Sequence, residues 1–573
     1  MNAADRSPAA NIEDICELTP MQRGLMFHSL YDPESTAYLE QVVCSLRGNL
    51  DQDRLRRAFE MVLERHGVLR SSFHWRGLSK PLQIVMKQVE LPWQNHDWRS
   101  LQEAERQQRA NDLIAADRSL TFKLDTAPIM RCSLLRLSDD RCDLLWTFHH
   151  LLLDGWSMPI VVKDLFEYYE ALMDGRDAAL PPVRPYRDYM LWRQSQNDPE
   201  SPAFWRGYLA GITSPARITS NSAAASPYGE SSRQLPDSTA GRLCDFARVH
   251  RLTPYTVIAG ALAFVIARWS SQPEVIFGSV VNGRPAELKN AEAMVGLFIN
   301  VIPVRVSMDF SDTVLSWLSR LQEQQLESSR HSQESLVDLQ GWSEVARPAQ
   351  LFELLLAFAN YPTPGCRGAG HVQVTGLRML ERTTYPLTLT VIPNDPFAFR
   401  LVWDEGRFET AMAHGFLDHL CDVVTAIVSG SARLVGELPR EVNGTADLQK
   451  LSRAGESAPA PAMVDETGDR QLRATMERDL REIWSEVLGV TPVGRTDNFF
   501  ELGGHSLNAI SVISRVHERL GVDLPLRRLF ESPTIAQLAV ELTSAARSGQ
   551  SGPNGSVTAL PRRRRAIPCK DTQ

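Results

Sequence analysis

Two short strings place reactive side chains at spacings that could do chemistry. The first, HHLLLDG from His149 to Gly155, sets two imidazoles side by side, a carboxylate four residues after the second, and then a glycine. Imidazole titrates close to neutral pH, so it can accept a proton, donate one or bind a metal. Neighbouring side chains on a strand point to opposite faces, so only one of the two histidines can look into a given pocket. By residue type alone the pair fits a structural or former metal-binding role as well as a catalytic one. The second string, DNFFELGGHSL from Asp497 to Leu507, puts two glycines ahead of a His-Ser pair. A serine opening a helix faces unpaired backbone amides and the positive end of the helix dipole, where an attached phosphodiester is favoured. The glycines let a modifying enzyme approach the backbone closely. Position alone also suits Ser506 as an ordinary helix N-cap.

These strings need elements to hold them. CDLLWTFHHLLLD reads as a strand that runs into a helical pattern from Ile160 to Leu172, so the turn bearing His150 and Asp154 lies at a strand end. Leu55, Phe59, Val62 and Leu63 share one face of a helix ahead of the string RHGVLRSSF. Thr253 followed by Pro254 is a strong helix start, and the apolar stretch after it is expected to be a buried helix. From about Glu13 to Leu438 the alternation of helical and strand patterns predicts a mixed α/β body.

From Pro439 to Gly468 the periodicity lapses into Ala, Pro, Gly, Ser and charges, which marks a linker. Leu480, Ile483, Trp484, Val487 and Leu488 then recur at helical spacing, and Leu507, Ile510, Ile513 and Leu520 form a second stripe. Ser532 and Pro533 are expected to open a further helix with Ile535, Leu538, Ala539 and Leu542 facing inward. A small helical bundle follows from these stripes. Beyond about Ala546 the composition predicts a disordered tail, with the basic run Arg562 to Arg565 as a solvated segment.

The 573 residues exceed one hydrophobic core, and 43% hydrophobic with 23% charged residues is a globular composition. A net charge of −8 argues against a general nucleic-acid binder. The eight cysteines are scattered without a CxxC pair or zinc-ligand spacing, so no metal site is expected and the thiols read as reduced. The N-terminus lacks a basic start and apolar core, and Val257 to Ala267 is shorter than a membrane span, which points to a cytoplasmic protein without membrane partners.

The string around Ser506, with WSEVLGV before it and LFESPTIAQLA after it, closely resembles the attachment motif of peptidyl carrier proteins over about Leu472 to Thr543. The resemblance implies that Ser506 receives 4′-phosphopantetheine from a phosphopantetheinyl transferase. His505 is the residue peptide carriers often have there, where polyketide acyl carriers have an acidic one. HHLLLDG matches the HHxxxDG signature of condensation domains and of the wider chloramphenicol-acetyltransferase-like acyltransferases. In the expected order follow or precede it LTPMQRGLMFHSL (Leu18–Leu30), RHGVLRSSF (Arg65–Phe73), YRDYMLW (Tyr186–Trp192), NGRPAEL (Asn282–Leu288), VGLFINVIPVRV (Val295–Val306) and FANYP (Phe358–Pro362).

This second resemblance implies two chloramphenicol-acetyltransferase-like lobes in a V, with the active site in a tunnel between them, ahead of a four-helix carrier bundle. The implied reaction is attack of a carrier-bound amine on the thioester of another carrier. His150 is the family's catalytic position, as base or as orienting group, with His149 beside it. Asp154 is implied to be a structural anchor paired with an arginine, Arg284 first and Arg65 or Arg70 as alternatives. Gly155 would lend an amide to the oxyanion, and Asn360 would be a polar group of the tunnel.

The expected division is 13–180 and 181–438 for the two lobes, 439–470 for the linker, 471–546 for the carrier and 547–573 for the tail. Condensation and carrier segments are separated only by that linker, without an adenylating domain. The implied partners are therefore an upstream donor carrier or synthetase and a stand-alone adenylating enzyme. An epimerisation domain shares HHxxxDG but normally follows its carrier, and heterocyclisation domains replace the histidines with aspartate. A degenerate condensation fold serving as a recruitment platform would lose parts of the signature, which is intact here. The segment with Ile12 and Ile15 reads either as an acceptor-side docking element or as a frayed terminus.

Overall fold

A computed structural model describes residues 8–78, 80–196, 198–219, 227–346, 349–360, 370–393, 396–440, 469–504 and 506–548. Most of the 439–470 linker, His505, Cys366, Cys569 and nearly all of the 547–573 tail lie outside the described residues.

The first half is built on a mixed five-stranded sheet. Its strands are β2 (Leu39–Gly48), β5 (Trp93–Asp97), β6 (Met130–Arg136), β7 (Arg141–His149) and β12 (Val372–Leu380), in the order β12-β2-β7-β6-β5. Helices α2 (Gln52–Arg65) and α4 (Ser157–Asp174) cover one face, where the Phe59 and Trp146 rings meet at 5.6 Å. On α2 the stripe Leu55, Phe59, Val62 and Leu63 is buried as its spacing dictates. Helix α3 (Glu103–Arg118) lies across the other face, where the Gln41 amide donates to the Ile114 carbonyl at 3.1 Å.

A small sheet of β1 (Ile12–Glu17), β4 (Leu82–Met86) and β3 (Ser71–His74), in the order β1-β4-β3, flanks this body together with α1 (Pro20–Tyr31). Ile12 and Ile15 belong to β1 and register against Met86 and Ile84, so this stretch is a paired strand and not a frayed end.

The second half carries a six-stranded sheet. Its strands are β8 (Tyr228–Gln234), β9 (Glu274–Val281), β10 (Asn300–Ser307), β11 (Leu354–Phe358), β13 (Leu387–Ile392) and β14 (Ala398–Asp404), in the order β10-β9-β11-β13-β14-β8. The connecting helices are α5 (Tyr186–Ser195), α6 (Ser201–Leu209), α7 (Asp237–Val249), α8 (Pro254–Ser270), α9 (Val314–Arg330), α10 (Leu336–Trp342) and α11 (Thr410–Ser429). Thr253 caps α8 by accepting from the Thr256 N–H at 3.0 Å, and Val257 to Ala267 is buried.

Helix α11 is long and apolar enough to cross a membrane by length and composition, which a search for unbroken apolar runs does not reveal. Here it is a core helix, with Phe416, Leu417, Leu420, Val423 and Val424 inaccessible.

Strand β12 departs from the division at residue 180. It leaves the second half and pairs antiparallel with β2, from Val372 opposite Gly48 to Leu380 opposite Gln41, completing the first sheet.

The C-terminal segment comprises α12 (Asp469–Leu488), α13 (Ser506–Leu520), α14 (Leu526–Glu531) and α15 (Ile535–Ser548). Leu480, Ile483, Trp484, Ile535, Leu538, Ala539 and Leu542 form its core, whereas Val487 and Leu488 are only half-buried. On α13 the buried face is Ala509, Ile510, Val512 and Val516, with Ile513 and Leu520 half-buried beside it. Ser532 caps the C-terminus of α14, and α15 is opened by Thr534, whose hydroxyl accepts from the Gln537 N–H at 3.3 Å. Proline at 533 excludes helix at the residue before it, so the start falls later than the Ser-Pro pair suggests.

Candidate functional site

Strand β7 ends at His149, and α4 begins at Ser157. The turn between them is tied on both sides: the His150 N–H donates to the Tyr38 carbonyl at 2.8 Å and the Asp154 N–H to the Gly296 carbonyl at 3.1 Å. Asp154 is the keystone, only 1% exposed. Its Oδ1 accepts from the Ser157 N–H and hydroxyl, both at 2.8 Å, and its Oδ2 accepts from the Phe298 N–H at 2.9 Å. Arg284 Nη2 lies 3.3 Å from Oδ1 and donates to the Ser157 hydroxyl oxygen at 2.8 Å. Its Nη1 donates to the carbonyls of Ala291 and Met294 at 2.6 and 2.8 Å, and its guanidinium sits 3.9 Å from the centre of the Phe298 ring. Buried opposite charges with nearly every lone pair engaged make a rigid clamp between the turn and the 284–298 segment.

The two alternative arginines go elsewhere. Arg65 donates to Asp164 at 2.8 Å and to the Pro181 carbonyl. Arg70 donates to Glu13 at 2.7 Å and to the Leu63, Met86 and Lys87 carbonyls. Both lie on the α2 end and the 3₁₀ turn after it, so each is consumed by neighbours before it could reach the β7 turn.

The two histidines face different surroundings. His150 is half-buried, and its Nδ1 lies 2.9 Å from the Leu153 carbonyl. A carbonyl only accepts, so Nδ1 carries the proton and Nε2 holds the ring's lone pair. His149 is 5% exposed, and burial together with the neighbouring imidazole pushes its pKa down to about 3. Its Nδ1 accepts from the Leu151 N–H at 3.1 Å, and its Nε2 meets Ser29 Oγ at 3.0 Å. Thus the neutral His149 is spent on packing and hydrogen bonds, while His150 alone offers a basic atom. Nearby on α1, burial lowers the pKa of His28 to about 4, and its ring lies 5.8 Å from that of Tyr38.

Gly155 is half-buried and leads into the first turn of α4. Asn360 stands exposed just past β11, in the other sheet, and its backbone N–H turns back to the Phe358 carbonyl at 2.9 Å. No hydrogen bond joins it to the β7 turn among the described residues. Ser157 and the Phe298 amide were missed by motif reading. Ser157 was legible as an Asp-x-x-Ser spacing, in which an aspartate accepts from the amide three residues on.

In the C-terminal segment, Ser506 is the first residue of α13. Gly503 holds φ +89°, and a Cβ on it would meet nothing within 4 Å. A Cβ on Gly504 would collide with Phe499 at 2.5 Å, so the chain passes against that ring only because residue 504 lacks a side chain. An open glycine followed by a tightly seated one, ending at a helix N-terminus, fits a phosphopantetheine arm. The bundle also rests on α1. Phe530 lies 5.5 Å from Phe27 and 5.3 Å from Tyr31, and the Gly77 N–H donates to Ser514 Oγ at 2.8 Å.

Residues 12–440 match the family model of the condensation domain, and residues 478–541 match that of the phosphopantetheine attachment site. A linear gramicidin synthase of Brevibacillus parabrevis is 34% identical over 475 residues, covering 81% of this chain and 9% of its own length. Bacitracin synthase 3 of Bacillus licheniformis is 33% identical, covering 73% of this chain and 7% of its own. This chain thus spans less than a tenth of either relative. In fold it resembles a four-domain nonribosomal peptide synthetase bound to AMP and glycine, with a TM-score of 0.65 at 16% identity over 83% of this chain and 39% of that one. It also resembles the first condensation domain of the calcium-dependent antibiotic synthetase, with a TM-score of 0.63 at 18% identity over 75% of this chain and 99% of that one. The β7 turn and the glycine-led helix of Ser506 lie inside the two matched segments, and the chain belongs to the condensation-domain family, followed by a segment that matches the phosphopantetheine attachment site.

Proposed function

We propose that the amine of an aminoacyl group on this chain's own carrier attacks the thioester carbonyl of an acyl or peptidyl donor on another carrier. A C–N bond forms as the C–S bond breaks, and the proton lost by the amine ends on the departing thiolate. The tautomer at His150 supports this most directly. With Nδ1–H committed to the Leu153 carbonyl, Nε2 can accept the amine's proton or a hydrogen bond from it. A thioester is activated and a thiol of pKa about 8.5 leaves readily, so positioning supplies much of the rate. In this reading Asp154 and Arg284 hold the turn, His149 supports it, and the Gly155 amide faces the developing oxyanion.

The 4′-phosphopantetheine on Ser506, attached by a phosphopantetheinyl transferase, supplies the thiol that holds the acceptor. Only residues 441–477 separate the matched segments, too few for an adenylating domain. In this reading a separate adenylating enzyme loads the carrier, and an upstream synthetase delivers the donor, all in the cytoplasm. The lobes follow 13–180 and 181–438 with β12 returned to the first, ahead of a linker at 439–470 and the carrier at 471–546.

The test mixes the holo chain, loaded by an adenylating enzyme, with a loaded donor carrier and follows the Ser506-borne product by mass spectrometry. A joined amide is expected, with a loss of roughly 100-fold in His150→Ala. Inverted stereochemistry without joining would indicate epimerisation, and unchanged yield in His150→Ala would indicate a recruitment platform. Unaided loading from ATP would overturn delivery by a separate enzyme.

A further inference from the structure

Helix α1 touches both halves of the chemistry. Phe27 and Tyr31 face Phe530 of the carrier, and Ser29, between them in sequence, reaches the β7 turn. The hydrogen bonds from that turn run in one direction. The Leu151 N–H donates to His149 Nδ1 at 3.1 Å, which leaves the proton of a neutral ring on Nε2. Nε2–H then donates to Ser29 Oγ at 3.0 Å, and the Ser29 hydroxyl donates to the Leu25 carbonyl at 3.1 Å. Every donor and acceptor is used once, and the chain ends on the backbone of α1.

The same turn brings the Leu153 carbonyl back to His150 Nδ1 at 2.9 Å, the contact that leaves Nε2 bare. Leu151 is inaccessible and the Leu152 N–H bonds the His149 carbonyl at 3.0 Å, so the turn moves as a unit with the His149 ring. We infer that Ser29 is a positioning residue for amide formation: through His149 it holds the 149–153 turn in the one geometry that gives His150 its Nδ1–H tautomer. The inference rests on His150 being the group that handles the amine.

Without the hydroxyl, the buried Nε2–H of His149 has no acceptor, and the ring gains by flipping its tautomer or rotating. Either change releases the Leu151 N–H and loosens the loop that carries the Leu153 carbonyl. His150 then samples both tautomers, and only one presents Nε2 as an acceptor.

The experiment uses the full holo chain with histidine ¹⁵N labelling, so that two-bond nitrogen–proton couplings report each tautomer, alongside steady-state amide formation with loaded carriers. Ser29→Ala is expected to lower kcat on the order of 10-fold to 100-fold, with KM for the donor carrier unchanged and mixed tautomers at His150. Ser29→Thr, which restores a hydroxyl, is expected to recover both readouts. Ser29→Cys keeps the volume and weakens the acceptor, so an intermediate loss is expected, and it decides alone if Ser29→Ala does not fold. A pure Nδ1–H tautomer with wild-type kcat in Ser29→Ala and Ser29→Cys would overturn the inference. His150→Ala separates the two levels: if it lowers amide formation roughly 100-fold while the Ser29 variants keep the wild-type kcat, only the positioning role falls. If it leaves amide formation intact, the underlying assignment of His150 falls.

Discussion

At Asp154 the carboxylate and the guanidinium of Arg284 are 1% and 5% exposed, so neither charge is screened by water when the other is removed. Breaking such a pair leaves a buried charge without its partner, at a cost of about 3–5 kcal/mol. Arg284→Ala should therefore lose stability of that size in urea denaturation, and activity should fall with the fold. His150 contrasts with it, being half-buried and bonding through its ring, among the described residues, only the Leu153 carbonyl. Its removal to Ala should cost no more than about 1 kcal/mol while lowering amide formation roughly 100-fold. Comparable small losses in both variants would contradict the division into anchor and reacting group. The resemblance carried by the motif string implied the two duties, reacting group at His150 and anchor at Asp154; the hydrogen bonds through which each acts, such as that from the Phe298 amide, were not legible because burial and partners are properties of the fold.

Among the elements, β12 shows most plainly what local pattern could not supply. β7, the turn after it, α4, the α2 face and the capped start of α8 are legible in the sequence, because apolar period and capping residues announce each element even where its partners are distant. The pairing of β12 with β2 joins residues far apart in sequence, and its register shifts between Val374 and Gly376, so no period announces it. The cost of this crossover is visible at Glu40 on β2, which is 4% exposed with Oε2 unpaired. Burial, with Glu381 after β12 adding repulsion, pushes its pKa well above the usual carboxylate range despite Arg118 and Arg400 nearby. A carboxyl whose folded pKa is raised is favoured in the folded state while protonated, and stability is lost as pH rises past the unfolded pKa of about 4.3, where only the unfolded chain ionises. Glu40→Gln removes that linkage. It should be more stable than wild type at pH 8, with the gap closing towards pH 4, measured as urea midpoints across that range. An unchanged gap would mean Glu40 is ionised in the fold.

Over the whole molecule, the sequence distinguishes two segments and a linker but is silent on how the segments meet. Phe27 and Tyr31 on one side and Phe530 on the other lie in separate segments, each readable as local packing, and only the folded chain sets the Phe530 ring 5.3–5.5 Å from the other two. Phe500 packs tilted behind Phe530 with ring centres 4.8 Å apart, so the carrier presents an aromatic step backed by its own core. Aromatic pairs of this kind add about 0.5–1.5 kcal/mol each beyond their buried area, enough to favour the seated carrier without locking it. The two segments share one chain, so their encounter is intramolecular and seating decides orientation more than encounter. Replacing Phe27 and Tyr31 together by Ala removes the seat and leaves the carrier core untouched, because both half-buried rings belong to α1. Amide formation with the chain's own loaded carrier should then slow on the order of 10-fold, as misoriented acceptors do. A soluble aminoacyl thioester at saturating concentration needs no seat and should react at the wild-type rate. If the tethered and soluble acceptors slow equally, α1 acts on the site itself and not as the seat; if neither slows, the contact of Phe530 with α1 plays no part in the reaction.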